Sequence, residues 1–296
     1  MKILITADWH IKGERPICRT DDDWLLSQKI TIDEIRSIFE FHDCEQIWVL
    51  GDVFDAPRCS TKAVNMLISS LMMFPTDSVR ILCGNHDLKD HSIDNLEECS
   101  IGTLGKFFRT VPTIVGKLFV SAKPFGKDDY GANADIVCTH QLTFPNAEAR
   151  PIEDCGVLAQ DLLDRWPKAK IIFTGDYHHS FIYSGQDGRH VVNPGCINIQ
   201  KADELDYEPS VFIWDTDENT LDKVMLDPQR EKCTRDHIEA REQKEEMLAE
   251  VVETIKGGTE ITLDFDSNLS AAIEKCEKRV ADEYDIVRQE IGMEAK

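Results

Sequence analysis

The 296-residue sequence predicts an α/β fold. Three observations lead there. Short apolar runs of strand length recur at residues 3–5, 47–50, 79–83, 136–138 and 171–173. Longer stretches with helical spacing lie between several of them. Each run also ends on Asp, Asn or His: Asp8-Trp9-His10, Gly51-Asp52, Gly84-Asn85-His86-Asp87, Thr139-His140 and Gly175-Asp176-Tyr177-His178. In open α/β sheets ligands bind beyond the carboxyl ends of the strands, so five such ends imply one metal site. A single Asp or His at a strand end is more often a cap; the joint pattern reverses that reading.

Residues 2–7 read as the first strand. Residues 11–24 hold Gly13, Pro16 and Asp21-Asp22-Asp23 and read as a loop, the acidic run being a solvated loop or helix start rather than a cation site. Leu26, Ile30, Ile35, Ile38 and Phe39 step as a helix over 25–42. A strand at 46–50, a helix at 60–74 stopped by Pro75 and a strand at 79–83 follow. Residues 88–110 read as helical in parts, 111–115 and 117–124 as strands, and 126–134 as a loop. A strand at 135–139 leads to a long loop over 141–155, a helix at 156–166 and a strand at 170–174. Residues 191–193 form a short strand into the turn Asn193-Pro194-Gly195. Residues 210–215 and 220–226 flank Asp217-Glu218-Asn219 as a hairpin.

The pattern changes after Pro228. Residues 229–256 are charged and helix-forming, 259–265 alternate as a strand, and Leu269, Ile273, Cys276, Val280, Tyr284, Val287 and Ile291 make an amphipathic helix. Two domains are expected, 1–226 and 227–296. The apolar stripe of the second needs a cover from the first domain, a second copy or another protein.

Net charge is −22, of which residues 227–296, with 11 Lys/Arg and 19 Asp/Glu, carry −8 and residues 1–226 carry −14. Proteins that hold nucleic acid by phosphate neutralisation are usually basic, so a nucleic-acid role here needs a local patch, bound cations or a partner. The ten cysteines form no CxxC pair and suit a reducing cytoplasm. No apolar run approaches the ~20 residues of a membrane span, and the N-terminus enters a strand with no signal-peptide layout.

The donors Asp8, His10, Asp52, Asn85, His140, Asp176 and His178 are carboxylates, an amide and imidazoles, a set suited to Mn²⁺, Fe²⁺, Mg²⁺ or Zn²⁺. Seven donors are too many for one small ion and suit two, with one carboxylate bridging. Two ions ~3.5–4 Å apart clamp the attacking and leaving oxygens of a displacement at phosphorus, so no protein nucleophile is needed. GxSxG and P-loop patterns are absent. His42, His91, His190 and His237 read as surface or structural residues, and His179 as a residue behind the site. Asp55 reads as a supporting residue, Cys196 as a filler, and Phe125, Tyr130, Phe144 and Tyr177 as packing or hydrogen-bonding residues.

These five motifs, in this order over about residues 1–200, resemble those of the calcineurin-like metallophosphoesterases. Gly51-Asp52-Val53-Phe54-Asp55, followed by Arg58 and Ser60, is more similar to the SbcD-type DNA exonucleases; the GDxVDRG and GNHE patterns of the Ser/Thr phosphatase branch are missing. The resemblance implies a four-layer α/β/β/α sandwich with a small α+β capping domain at 227–296. It puts one ion on Asp8, His10, Asp52 and His178 and the other on Asp52, Asn85, His140 and Asp176, with Mn²⁺ the expected metal. It makes His86 the imidazole that protonates the leaving 3′-oxygen or steadies the transition state, oriented by Asp87. It implies a 3′→5′ DNA exonuclease with single-strand endonuclease activity, DNA and an SbcC-like ATPase as partners, and leaves room for a homodimer. One motif departs: the family's GHxH is here Gly175-Asp176-Tyr177-His178, so Asp176 replaces a histidine ligand, and pairing His178 with His179 would break the spacing. The runner-up is hydrolysis of a small phosphodiester, cyclic nucleotide or phosphoprotein, which the acidic charge favours. A non-catalytic scaffold is disfavoured by the intact donor set.

Overall fold

Alternation along the strands decides the layering. The computed structural model describes residues 1–126, 133–152 and 155–257. Its strands are β1 (Lys2–Thr6), β2 (Gln46–Leu50), β3 (Val79–Leu82), β4 (Ile114–Val115), β5 (Leu118–Lys123), β6 (Ile136–Phe144), β7 (Val157–Leu158), β8 (Ile171–Gly175), β9 (Phe181–Ser184), β10 (His190–Asn193), β11 (Ser210–Asp215) and β12 (Thr220–Met225). The helices are α1 (Trp24–Phe41), α2 (Thr61–Leu71), α3 (Ser100–Leu104), α4 (Ala159–Arg165) and α5 (Asp236–Gly257). One sheet runs β12-β11-β1-β2-β3 and the other β4-β5-β6-β8-β10-β9, with β7 on β6. Successive side chains of a strand face opposite ways, so a central strand feeds two cores. Ile3, Ile5, Trp48, Leu50, Phe212 and Trp214 of the first sheet meet Ile136, Cys138, Ile171, Phe173 and Val192 of the second. At the centre of that shared core the Trp214 ring lies 5.4 Å from Phe173 and 6.2 Å from Trp48.

The alternate residues face outward. Leu4, Ile47 and Val49 pack under α1 and α2 through Ile32, Ile35, Phe39, Ala63 and Leu67. Val137, Ile172 and Val191 pack under α4 through Ala159, Leu162 and Leu163. The order is therefore helix, sheet, sheet, helix, as expected. Asp23 caps α1 by accepting from the Leu26 N–H at 3.1 Å, and Ser60 caps α2 by accepting from Ala63 at 3.3 Å, so the acidic run ends in a helix start while its first member, Asp21, is buried against Arg19.

Three elements depart from expectation. β6 continues through Phe144, where a loop over 141–155 was expected, because Thr143 and Phe144 are buried and pair with β7. The pairing of β6 with β8 shifts register between Cys138 and Leu142, which brackets His140. β9, a short edge strand with alternating exposure, was not foreseen. Helix α5 begins at Asp236 rather than 229, after a 3₁₀ turn at Arg230–Lys232.

The chain divides into Met1–Cys233 and Thr234–Lys296. The first unit thus reaches past the composition change at 226. Buried Gln229 donates from Nε2 to the Thr31 hydroxyl at 3.1 Å, and Arg230 donates to the Tyr207 carbonyl at 2.8 Å. The strand expected at 259–265 and the stripe from Leu269 to Ile291 lie outside the described residues, as does Tyr130. Among the described residues no helix is long and apolar enough to cross a membrane.

Candidate metal centre

The loops that leave β1, β2 and β8 turn sharply, and the turns fall on the predicted donors. Asp8 (φ 52°), His10 (45°), Asp52 (48°) and Asp176 (71°) all have left-handed backbone, uncommon outside glycine and concentrated at functional sites. The first two loops are zipped together: the Asp8 N–H donates to the Gly51 carbonyl at 3.1 Å and the His10 N–H to the Asp52 carbonyl at 2.9 Å. The register shift in β6 aims His140 into the same place, the usual effect of a bulge beside a site. The rings and carboxylates come so close that a Cβ on Gly84 would run into both Asp52 and His140, and one on Gly51 into His140.

Asp52 sits at the middle. Its Oδ1 accepts the His86 N–H at 2.9 Å. Its Oδ2 is buried without a hydrogen-bond partner, 3.3 Å from His140 Nε2 and 3.7 Å from His10 Nε2. His140 Nδ1 faces the Leu50 carbonyl at 2.7 Å; donating there leaves the neutral ring a bare Nε2, which also lies 3.1 Å from Asn85 Oδ1. Asp8 Oδ1 accepts the Asp176 N–H at 3.0 Å, while its Oδ2 is buried and unpartnered. On the other flank the Nε2 atoms of His10 and His178 face each other at 3.1 Å. Asp8, Asp52 and His140, all buried, bring donor atoms within 4.8 Å of one another. Asp176 is half-buried, and its charge bears on both His140 and Asp8. All seven predicted donors thus converge on one place.

The electrostatics call for cations. Burial, reinforced by Asp52, pushes the Asp8 carboxyl up to about 7. Burial works against protonated His140, yet Asp52 and then Asp8 raise it well above the ordinary imidazole range. Burial would also raise Asp52, but the facing imidazoles hold it below the usual carboxylate range. Buried carboxylate oxygens without partners are costly. Two orphaned oxygens facing oxygen and imidazole donors are the environment a hard or borderline divalent ion satisfies. The residues present fit the implied metals.

The expected tie between Asp87 and His86 is replaced by another. Asp87 is fully buried and accepts backbone N–H groups from Phe54 (2.8 Å), Gly84 (2.9 Å) and Val53 (3.2 Å), so it staples the second and third motif loops together. Burial, with Asp52 adding to it, raises its carboxyl to about 7. His86 is exposed at the mouth, 4.9 Å from the His10 ring centroid, and its Nδ1 meets the Asp55 carbonyl at 2.9 Å.

Sequence reasoning missed Glu204. It is buried on a 3₁₀ turn, Ala202–Glu204, and its Oε1 takes the His178 Nδ1–H at 2.6 Å, leaving Nε2 for the centre. Its Oε2 accepts the N–H groups of Gln200 (2.9 Å) and Lys201 (3.1 Å). Burial opposes ionisation of both partners; the contact outweighs it, holding Glu204 down and His178 up. Asn193 Nδ2 donates to the carbonyls of Tyr177 (2.5 Å) and His179 (2.9 Å), fixing the loop that carries Asp176 and His178. His91 borders the site, its Nδ1 3.1 Å from the Asn85 carbonyl, and His179 packs between Tyr177 and Tyr207.

The sequence profile of the calcineurin-like phosphoesterases matches residues 1–207. A search of curated proteins returned no match. Among solved structures the chain is similar to a dimetal phosphatase from Danio rerio (TM-score 0.50, 10% identity, covering 76% of this chain and 96% of that one). It is also similar to an archaeal phosphodiesterase (TM-score 0.42, 16% identity, 76% and 100% covered) and to a phosphoesterase from E. coli (TM-score 0.36, 17% identity, 77% and 100% covered). At 10% identity the likeness to the Danio rerio structure speaks to the fold alone. The profile spans most of the chain and ends just beyond the strand-end motifs and Glu204; the chain belongs to the calcineurin-like phosphoesterases.

Proposed function

We propose that this metallophosphoesterase is a Mn²⁺-dependent DNA nuclease, a 3′→5′ exonuclease with single-strand endonuclease activity, acting as an SbcD-like subunit beside an SbcC-like ATPase in repair or recombination. The observation that carries the reading is the course of Gly51-Asp52-Val53-Phe54-Asp55, the stretch most similar to the DNA exonucleases. Asp52 faces both imidazole flanks, Asp87 pins Val53 and Phe54, and the Asp55 carbonyl receives His86. The segment that resembles the nuclease branch therefore also holds the catalytic imidazole.

Asp8, His10, Asp52 and His178 would hold one ion and Asp52, Asn85, His140 and Asp176 the other. The chemistry such ions would supply is Lewis-acid polarisation of the phosphoester and a water acidified to near-neutral pKa. The protein supplies the rest. Donation from His86 Nδ1 to the Asp55 carbonyl fixes the ring, so in its doubly protonated form Nε2–H is the group that hands a proton to the departing 3′-oxygen and is left as the neutral ring. Glu204 keeps the His178 tautomer that presents Nε2. Asp87 protects the relative position of the two loops it staples.

The test is cleavage of end-labelled duplex DNA beside bis-p-nitrophenyl phosphate, after EDTA dialysis and Mn²⁺ or Ca²⁺ add-back. Mn²⁺ should restore both activities, and Ca²⁺, which prefers more oxygen ligands at longer distance, little. His86→Ala should keep its metal by elemental analysis yet lose ~10²–10⁴-fold in rate. Asp52→Ala should lose metal and activity together. The charge of −14 on residues 1–226 favours the second reading, a small phosphodiester substrate. Hydrolysis of the chromogenic diester and cyclic nucleotides with no cleavage of DNA would establish that reading instead.

A further inference from the structure

The cleft beside the metal centre holds groups that neither metal binding nor proton transfer employs. It is an open cleft of ≈70 Å³, and its lining includes Lys12, Asn198, Gln200 and Lys201 next to His10, His86 and His178. Lys12 donates toward Asp55 Oδ1 at 3.2 Å and has further N–H bonds to give. The Lys201 ammonium forms no ion pair among the described residues, although its charge reaches His178 and Glu204. Asn198 is 3% exposed; its Oδ1 accepts from Thr31 Oγ1 at 2.8 Å, and its Nδ2 is buried with no partner. Gln200 Nε2 donates to the carbonyls of His10 (3.2 Å) and Trp9 (3.3 Å), which fixes the amide and leaves Oε1 buried and unpartnered. Two residues that each carry a buried, unpartnered polar atom and two lysines thus line one cleft beside the metal centre. Buried polar atoms without partners are uncommon in native structures and invite a ligand or water that satisfies them.

We propose that this cleft is a subsite for the sugar and the second phosphate of a nucleotide, the phosphate adjacent to the one being hydrolysed. The chemistry selects that class. A sugar hydroxyl both donates and accepts, matching Gln200 Oε1 and Asn198 Nδ2, and a second phosphate matches Lys12 and Lys201. A single-phosphate diester with aromatic arms has nothing to offer the two lysines, and a phosphopeptide brings one phosphate. In a domain of net −14 a polyanion needs local positive charge, and at this cleft Lys12 and Lys201 supply it beside the carboxylates Asp55 and Glu204. The inference rests on the nuclease reading for its substrate class.

The experiment measures competitive inhibition of bis-p-nitrophenyl phosphate hydrolysis by thymidine 3′,5′-bisphosphate and by thymidine 5′-monophosphate, with Mn²⁺, in the full chain and in Lys201→Gln and Lys12→Gln. A charge-assisted hydrogen bond is worth enough to make the bisphosphate bind about tenfold more tightly than the monophosphate. Each substitution should shrink that ratio severalfold, and the double variant should bring it to unity. Lys201 is exposed and its side chain is not part of the packing, so its variant is the one least exposed to a folding artefact. Equal inhibition by the two nucleotides in the unaltered chain, or a ratio indifferent to both lysines, overturns the subsite. If the ratio behaves as expected but DNA is not cut, the subsite stands and the nuclease reading falls. If DNA is cut with no preference for the bisphosphate, the reverse holds.

Discussion

Glu204→Gln removes one charge and one good acceptor while keeping the size of the side chain. The amide still fills the turn, but it no longer favours the His178 tautomer that presents Nε2 to the centre. Loss of such a partner typically costs about 10–100-fold in metal affinity. The expected outcome is a Mn²⁺ titration by calorimetry shifted to weaker binding by that factor, with a modestly lower melting temperature in EDTA because the amide cannot accept from His178, Gln200 and Lys201 together. Unchanged affinity would mean that His178 needs no carboxylate to act. Glu204 was illegible in the sequence because nothing marks it: it sits 26 residues from His178 in a stretch with no strand pattern. The seven donors were legible because each ends an apolar run. Asp87 was legible as a residue and not as a role, since a carboxylate following a histidine reads as its partner until the backbone N–H groups of Val53, Phe54 and Gly84 are seen to claim it.

The elements that carry the site are loops, and one of them is braced by a buried ion pair. Arg19, 2% exposed, donates from Nε and Nη2 to the two carboxylate oxygens of Asp21 at 2.8 and 2.9 Å, and its guanidinium lies 4.9 Å from the Trp24 ring centre. The pair fixes the start of α1, which supports β1 and β2 from outside. Breaking a buried pair by removing one partner costs about 3–5 kcal/mol, so Asp21→Asn should lower stability in urea by that order. Burial alone would raise the Asp21 carboxyl; Arg19 and the Ser27 hydroxyl bring it below its ordinary 3.8 instead. A depressed carboxylate contributes stability that is present above the unfolded value and lost as pH falls through the folded one. The native chain should therefore lose this contribution only below pH 3.8, and Asp21→Asn should show a shallower loss there. An identical acid limb in both proteins would remove the ion pair from the account. From sequence the three Asp residues looked alike; burial separates Asp21, which is paired, from Asp23, which caps the helix. β6 was cut short for a similar reason: the register shift around His140 interrupts the alternation by which a strand is recognised, and it is also what aims the ring.

At the scale of the whole chain, composition and packing mark different ends for the first unit. Charge density rises after Pro228, yet the compact unit closes at Cys233. The residues between are polar and still structural. Thr20 donates its N–H to the Lys232 carbonyl at 2.8 Å, Arg19 and Cys233 form an isolated bridge, and Gln229 fills a buried polar slot beside Thr31. A chain ending at Leu226 loses these bonds and leaves Thr31 and Ser27 facing an empty slot. A net hydrogen bond is worth about 0.5–1.5 kcal/mol, so losing several should cost roughly 3–5 kcal/mol, or about 10 °C in melting temperature for a unit of this size. A chain ending at Cys233 keeps them. It should melt close to the full-length protein in differential scanning calorimetry and hydrolyse bis-p-nitrophenyl phosphate at a similar rate, because every predicted metal donor and His86 precede residue 180. If the residues after Cys233 guide DNA, as the capping reading holds, the same chain should lose most of its activity on duplex DNA. Retention of full DNA cleavage would assign the second unit to a partner instead, and loss of both activities with the fold intact would mean that the metal centre depends on residues beyond Cys233.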